Sequence, residues 1–559
     1  MTIHVLPVAA AVAAYTLPAS GTLSVDPPGV LLGDTGSGLT TKLVSGPNSG
    51  TLTLNGDGSF SYTATPGFYG SDSFTYEAVD SSGQASTPVS VTIDVGVQPP
   101  SVVGETFSGA VGNTALQVGG SRGGGPEVYQ GSSNALAGDS DPDGGTLSTT
   151  AATITTAQGG TVTLAVDGSF TYEPSVGLDS TDSFSYQVDT SEGASAQAIA
   201  TIDFTARVWY VNSSATLNGN GGAESPFNSL ASAVLAVGSG DVIFLFGGSY
   251  TGGVTLGANQ TLVGQSAGLT VDSEDLLAPS GASNPVITAA SGPVVTLGEV
   301  DTLSGVSVVG TGSATAVSAT VNDFTLDSDV SITAAGGDAL DIEGGDGGLA
   351  TVAAPITASG GHSVAIHNRT GGDVGTSGTP GSGSATGDGI DLTSDGGSAS
   401  VGADISDNHL YGLASGTGIL VTTPGVIATP GGGALQLTLG SNVVAMGSGS
   451  THNGVTITAG TFGYPSDDIC VNPTANAVTT APTGSANGIE LDQLDPASRF
   501  GIQSYGGGAG DLSGPSGVAA FVASSNTLSG SSGGHPAFAT QPNGLTSGDG
   551  FAGCTANTY

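Results

Sequence analysis

Asp139, Asp141 and Asp143 alternate with Ser140 and Pro142 and run straight into Gly144. Carboxylates at alternate positions before a glycine can fold around one hard cation, and Ca²⁺ suits such flexible oxygen-rich loops. The same residues also make an ordinary Asp-rich turn, since Asp and Gly favour turns for backbone reasons alone, and the segment lacks the further ligands of an EF-hand. Both readings stand, and Ca²⁺ at these three residues is the metal expectation. A second cluster is Asp404, Asp407 and His409 in GADISDNHLYG, with Asp467 and Asp468 next. Glycoside hydrolysis needs two carboxyl groups, one to give a proton and one to activate water or attack; a solvated Asp-Asn corner explains the same residues. His362, His367 and His452 have no metal-ligand spacing. Tyr411, Phe462, Tyr464, Phe500 and Tyr505 gather in the same half, where exposed rings could stack on sugars; the plainer reading is corner filling. Tyr411, Tyr464 and Tyr505 are the ligand-binding candidates.

Composition limits what these groups can serve. Of 559 residues, 96 are Gly, and 46 acids face only 5 bases, for a net charge of −41. The acid content is ordinary and the cations are missing, which argues against nucleic acid and anionic membranes as partners. An anionic polysaccharide would be repelled unless a divalent cation bridged the charges. Scarce Lys, Glu and Arg with abundant Gly describe a turn-dense β protein, and the length is a prior for about three or four domains. There is no apolar run of about 20 residues to span a bilayer. MTIHVLPVAAAVAAYTLP lacks a basic start and flows into strand-like sequence, so it reads as a domain's first strand within a longer exported precursor.

Two segments repeat. Residues 51–80 align with 161–189 at a constant offset of 110 down to Tyr76 and Tyr186. Leu52, Leu54, Phe60, Tyr62, Phe74 and Tyr76 alternate with polar residues, as do Val162, Leu164, Phe170, Tyr172, Phe184 and Tyr186. That pattern is one buried face of antiparallel strands, with Asp57-Gly58 and Asp167-Gly168 in hairpin turns. Two copies of one sandwich follow, at 1–98 and 99–205, with Pro99-Pro100 as a stiff joint. Segment 33–38 of the first copy, matching the Asp139 loop, keeps the single acid Asp34.

From 208 the pattern changes. Val208 to Val211 carry the only Trp, and Ser225 and Pro226 lead into FNSLASAVLAV, a helical-period run predicted to start there and stop at Gly238. Strand-length runs follow at 241–246, 254–256 and 261–264. Later, a loose repeat places Val295, Val317, Leu340, Val364, Ile390, Ile419, Val455 and Ile489 at intervals of 22, 23, 24, 26, 29, 36 and 34. Such a rung length with growing insertions is that of a solenoid whose inward apolar residues stack in columns, and its lengthening loops are where function gathers.

The WYV opening, SPF-x-SL-x-SA, GDVIFLFGGSYTGGVTL and NQTLVG resemble the N-terminal cap of right-handed parallel β-helices of the pectin-lyase-like class. They are similar above all to those of large secreted bacterial surface proteins built from Ig-like or cadherin-like modules. The resemblance covers most of the chain, and implies an all-β fold: two Ig/cadherin-like β-sandwich modules followed by a right-handed parallel β-helix, 206–559, with an N-terminal capping helix. It implies an extracellular or cell-surface, adhesin-like or structural protein whose modules are spacers for a β-helix that binds glycan or another surface ligand. The alternatives are a polysaccharide lyase or hydrolase, and a filament or surface-layer subunit that self-associates through strand edges. Lyases of this class commonly use Arg or Lys, and 206–559 has no Lys and three Arg. Arg369, in VAIHNRTGG, is the catalytic candidate, but it reads first as a structural rung corner, and the balance is against catalysis. Cys470 and Cys554, the only cysteines, lie in segments that resemble the family's closing region. In an exported protein they are expected to form a disulfide contributing ~4 kcal/mol.

Overall fold

The computed structural model describes residues 6–344 apart from 18–20, 97, 143, 144, 192 and 322. Between 346 and 540 it describes the strands and some of the residues beside them. The aromatic alternation of the two repeats builds two sandwiches. In the first, one sheet orders Tyr15–Leu17, Val89–Val95, Gly70–Val79 and Thr40–Ser45, and the other Thr22–Val25, Phe60–Ala64 and Gly50–Leu54. Phe60, Tyr62, Phe74 and Tyr76 are buried in its core. In the second, Ala115–Val118, Phe170–Glu173 and Thr161–Leu164 form the middle of one sheet, and Asp182–Thr190 and Ser195–Val211 anchor the other. Phe170, Tyr172, Phe184 and Tyr186 occupy the equivalent core. Gly58 and Gly168 turn the matching hairpins at φ of +87° and +80°, a region where a Cβ would be strained.

Each core also hides one carboxylate. Asp72 accepts N–H bonds from Asn48, Ser49 and Ser73 and the Tyr62 hydroxyl at 2.9–3.0 Å. Asp182 does the same with Gln158, Ser183 and Tyr172 at 2.7–2.8 Å, and with the Thr156 hydroxyl. Buried polar groups persist when they are satisfied in this way. Burial pushes the Asp72 carboxyl up, but its three backbone donors and the Tyr62 hydroxyl leave it below the usual carboxylate range.

The helical run is shorter than its pattern predicts. The helix spans Leu230–Val234, capped by the Ser229 side chain, which accepts the Ser232 N–H. Ser225 and Pro226 precede it because Phe227 is already tied to a strand: its N–H donates to Tyr210 O (2.9 Å) and its carbonyl accepts from Asn212 (2.8 Å). Its ring stacks on Trp209 at 5.8 Å, and Leu230 and Ala233 are buried in the same core as Trp209.

From Val242 the chain visits three faces in a fixed order. Val242–Leu245, Ser249–Thr251 and Val254–Thr255 make the first circuit, and later strands pair parallel with their predecessors, except that the second face is split into two five-stranded sheets, one ending at Ile356–Ala358 and the other starting at Pro380–Ser382. A 10-stranded sheet collects one strand per circuit. Val295, Val317, Leu340, Val364, Ile390, Ile419, Val455 and Ile489 stand in one column of it, each the register partner of the next, and Ala537 follows Ile489. The first eight are buried, as inward residues of a stacked sheet must be. Corners repeat as well: in GSGD, GANQ and GEVD the glycine N–H donates to the side chain three residues on, Gly238 to Asp241, Gly257 to Gln260 and Gly298 to Asp301, at 2.6–2.8 Å. Further along, the Asn442 amide donates to Asn476 and that of Asn476 to Asn526, both at 2.8 Å.

The strand Ser195–Val211 joins sandwich to stack. It pairs antiparallel with Asp182–Thr190, parallel with Glu105–Gly112, and from Val208 to Val211 parallel with Val242–Leu245. Val208, Tyr210 and Phe244 therefore share one core with Phe107 and Phe170, and so do Leu269, Val271 and Leu276 of a hairpin inserted in the second circuit. Arg122 holds that hairpin through the carbonyls of Asp275 and Leu276. Arg207 completes the joint: it bonds Gly177 O and Asp179 on the sandwich side and Asp241 on the stack side at 2.7–3.2 Å, and Asp241 also accepts the Trp209 indole N–H at 2.8 Å. Among the described residues no helix is long and apolar enough to cross a membrane.

Candidate functional site

Asp139 sits where the second sandwich receives the chain from the first. Ser101 and Ser140 exchange backbone hydrogen bonds at 2.8 and 3.0 Å, and Asp139 Oδ1 accepts the Val103 N–H at 2.8 Å. The first sandwich repeats the arrangement: Val8 and Thr35 exchange bonds at 3.0 Å, and Asp34 Oδ1 accepts the Ala10 N–H at 2.7 Å. The first task of this acid is thus structural in both copies, tying the incoming segment to the loop. The second oxygen separates them. The tyrosine hydroxyl bonds the matching carbonyl in each copy, Tyr76 to Val30 O and Tyr186 to Ala135 O; Tyr76 Oη also stands 3.0 Å from Asp34 Oδ2, whereas Asp139 Oδ2 is buried with no hydrogen-bond partner.

Burial raises the Asp139 carboxyl, offset only partly by the Val103 N–H. Glu105 borders the same loop, since a Cβ on Gly138 would stand 3.6 Å from its Oε1, and Asp141 Oδ2 is also buried. An orphaned carboxylate oxygen among further carboxylates fits a hard cation by its donor chemistry. Among the described residues, however, no three His, Cys, Asp or Glu side chains are already arranged to hold a metal. Asp143 lies outside the described residues.

The second-half candidates fall on separate sheets. Asp404 lies in Val401–Ser406, in register with Gly375 and Thr438. His409 and Tyr411 lie in the next strand, His409–Leu413, of another sheet. Arg369 ends Val364–Arg369 in the 10-stranded sheet. The fold therefore does not gather Arg369, Asp404 and His409 on one sheet. Cys470 lies in Asp468–Thr474, paired with Gln436 and Gly501. Asp407, Tyr464, Tyr505 and Cys554 lie outside the described residues.

A cluster that the linear spacing hid forms on the 10-stranded sheet. Asp341, Ala365 and Asp391 occupy one column at positions between the inward ones. His362 Nδ1 lies 3.0 Å from Asp338 Oδ1 and its Nε2 3.9 Å from Asp391 Oδ2, and the His367 ring stands 6.5 Å away. The His362 bond holds the Asp338 carboxyl below its usual range, while burial, and then the Asp338 charge, raises Asp341. The signal was present in the aligned rungs DALDI, HSVAI and DGIDL, where the residue after the inward Leu340, Val364 and Ile390 is Asp, Ala and Asp.

Comparison with known proteins gives two family matches. Residues 5–97 match the bacterial cadherin-like domain and residues 117–203 the bacterial Ig domain. Among curated proteins nothing matches. Solved structures similar to part of the chain include protocadherin gamma B2 extracellular cadherin domains 3–6, at 17% identity and a TM-score of 0.22, covering 34% of this chain and 50% of that one. A human mucin-like protocadherin, EC1-2, matches at 14% identity and a TM-score of 0.20, over 34% of this chain and 94% of that one. BT4661, a SusE-like surface-located polysaccharide-binding protein of Bacteroides thetaiotaomicron, matches at 14% identity and a TM-score of 0.15, over 36% of each chain. The chain thus spans half the length of the first of these structures. Scores this low carry no inference. The chain has a bacterial cadherin-like domain followed by a bacterial Ig domain, and beyond them parallel sheets.

Proposed function

We propose that the chain is an adhesin-like protein of the bacterial cell surface. Residues 1–98 and 99–205 are its spacers, and residues 206–559 are a right-handed parallel β-helix that binds glycan or another surface ligand. The observation that carries this reading is the order of parts: two bacterial domains of the cadherin-like and Ig types ahead of repeating circuits of parallel strands. The helix Leu230–Val234 closes the first circuit, its Leu230 and Ala233 packed in the same core as Trp209 and Val254. Ca²⁺ is held by Asp139 and Asp141, with Asp143 and Glu105 as further donors, and stiffens the joint that Asp139 already ties through Val103. Cys470 and Cys554 form the disulfide that closes the far end.

The test uses the full chain, incubated with neutral and acidic polysaccharides with and without Ca²⁺. Retention on the polymer and release of new chain ends are read together. Retention without cleavage is the expected result. Loss of both moves the weight to a filament or surface-layer role, which sedimentation would show as concentration-dependent assembly.

One observation favours a second reading, polysaccharide cleavage. Asp341 and Asp391 are two strands apart in a parallel ladder, about 10 Å between backbones, near the carboxyl separation of inverting glycosidases. Asp341, raised by burial, would donate the proton and Asp391 beside His362 would activate water. New chain ends that vanish in Asp341→Asn and Asp391→Asn would establish it, and ends that persist in both would remove these residues from the chemistry.

A further inference from the structure

Tension along the chain enters each N-terminal sandwich through its first strand and leaves through its last. In both, those two strands are parallel neighbours. In the first sandwich Tyr15–Leu17 pairs with Val89–Val95 over three register positions, Tyr15 with Ile93 to Leu17 with Val95. In the second, Glu105–Gly112 pairs with Ser195–Val211 over seven, from Glu105 with Ala200 to Gly112 with Arg207, with two register shifts. Pulling the start of one parallel strand against the end of its neighbour slides the two past each other. Their evenly spaced hydrogen bonds are then loaded together, whereas a hairpin pulled from its adjacent ends opens one bond at a time.

The outgoing strand of the second sandwich does not end at a linker. It continues into Val208 to Val211, pairs there with Val242–Leu245, and is flanked by Arg207, which bonds both sides of the junction. The hairpin residues Leu269 and Leu276 are buried in the sandwich's own core. Load leaving this sandwich therefore passes directly into the stack, through a strand that both parts share.

We infer a mechanical function for the second sandwich: it is a shear clamp that carries tension into the stack, and the first sandwich yields before it. The inference stands whether or not the stack carries a ligand. Arresting the first sandwich's failure at the clamp confines extension to the N-terminal part of the chain and keeps the circuits folded under load.

The test is force spectroscopy on the full chain, with handles attached at residues 6 and 217, whose side chains are 59% and 80% exposed. The load then crosses both sandwiches and the shared strand as far as Val211, where it meets the first circuit, and spares the later circuits. Two steps are expected, a first of roughly 25 nm and a later, higher-force one of roughly 33 nm, from the extended length of each sandwich. The register partners Ser108 and Asp203 are within disulfide reach. Oxidised Ser108→Cys/Asp203→Cys should lose the later step, and reduction should restore it, which assigns that step to the second sandwich. Thr106→Pro, on the exposed side of the clamp, should bring the later step down to the force of the first or below. The inference is overturned if the disulfide abolishes the earlier step or neither step. It is equally overturned if the two sandwiches yield at the same force in the unmodified chain, a readout that needs no variant to fold.

Discussion

The two N-terminal sandwiches share a core pattern and differ in what that core belongs to. Phe60, Tyr62, Phe74 and Tyr76 of the first are packed in a cluster drawn from that sandwich alone. Phe170, Tyr172, Phe184 and Tyr186, at the same positions 110 residues later, share a cluster with Tyr210, Phe244 and Leu269 of the stack. Repetition of a sequence motif thus fixes the interior of a module without fixing its independence. Independence depends on the residues at its edge: where the first copy meets the joint at 96–104, the second runs on through an unbroken strand.

Removing one core ring from each copy should separate them most strongly. Phe74→Ala and Phe184→Ala should each cost about 3–5 kcal/mol. Hydrogen exchange should show Phe74→Ala loosening only the first sandwich, with Phe184→Ala also loosening 208–211 and 242–245. Equal confinement of both effects would mean that the second core is not shared in energy. The ion pairs give the next contrast. Arg207 and Asp241 are largely buried, whereas Lys42 is 66% exposed beside Glu77. Arg207→Ala leaves a buried carboxylate uncompensated and should cost about 3 kcal/mol; Lys42→Ala should stay within about 0.5 kcal/mol. Chemical denaturation of the two variants measures the difference, and a similar small cost for both would remove Arg207 as the fastening of the junction.

What was legible in the sequence was what repeats. The inward column from Val295 to Ile489 could be read because an inward apolar residue recurs once per circuit whatever the loop does. The offset of 110 could be read because aromatic cores resist drift. The junction was harder. SAQAIATIDFTARVWYV contains no Gly or Pro to end a strand, so its continuity was visible, but the apolar Val208 to Val211 also suits a new beginning. The helix was overextended because the Ser225-Pro226 signal is local, and the bonds that hold Phe227 extended come from Tyr210 and Asn212. The cluster of Asp338, His362 and Asp391 was missed because it exists only between circuits, and a search for ligand spacing along the chain passes over it.

The buried carboxylates sharpen the comparison on a smaller scale. Asp72 lies below the usual carboxylate range, so its contribution is present above the ordinary Asp pKa and is lost as pH falls through its lower folded value. Asp72→Asn should cost about 1–3 kcal/mol at neutral pH by leaving Tyr62 and three N–H groups poorly matched. The cost should shrink in acid melts, and a cost independent of pH would show that the charge plays no part.

Asp139 carries the opposite sign. Its folded pKa is raised by burial, so the stability it lends through its protonated form is full below the ordinary Asp range and is lost as pH rises through the raised value. Once ionised, the carboxylate, with Oδ2 lacking a hydrogen-bond partner, is a liability that a bound cation would convert into a tie. Asp139→Asn should therefore lose any Ca²⁺-dependent rise in the melting temperature of the second sandwich, while Asp34→Asn, in the other sandwich and with its second oxygen within 3.0 Å of Tyr76 Oη, should leave that rise intact. At neutral pH without Ca²⁺, Asp139→Asn should shift stability by only about 1 kcal/mol, since it keeps an acceptor for the Val103 N–H. Melting curves of the two variants with Ca²⁺ or a chelator decide the matter. A Ca²⁺ response that survives Asp139→Asn would place the cation elsewhere and return this loop to the same purely structural role as its counterpart in the first sandwich.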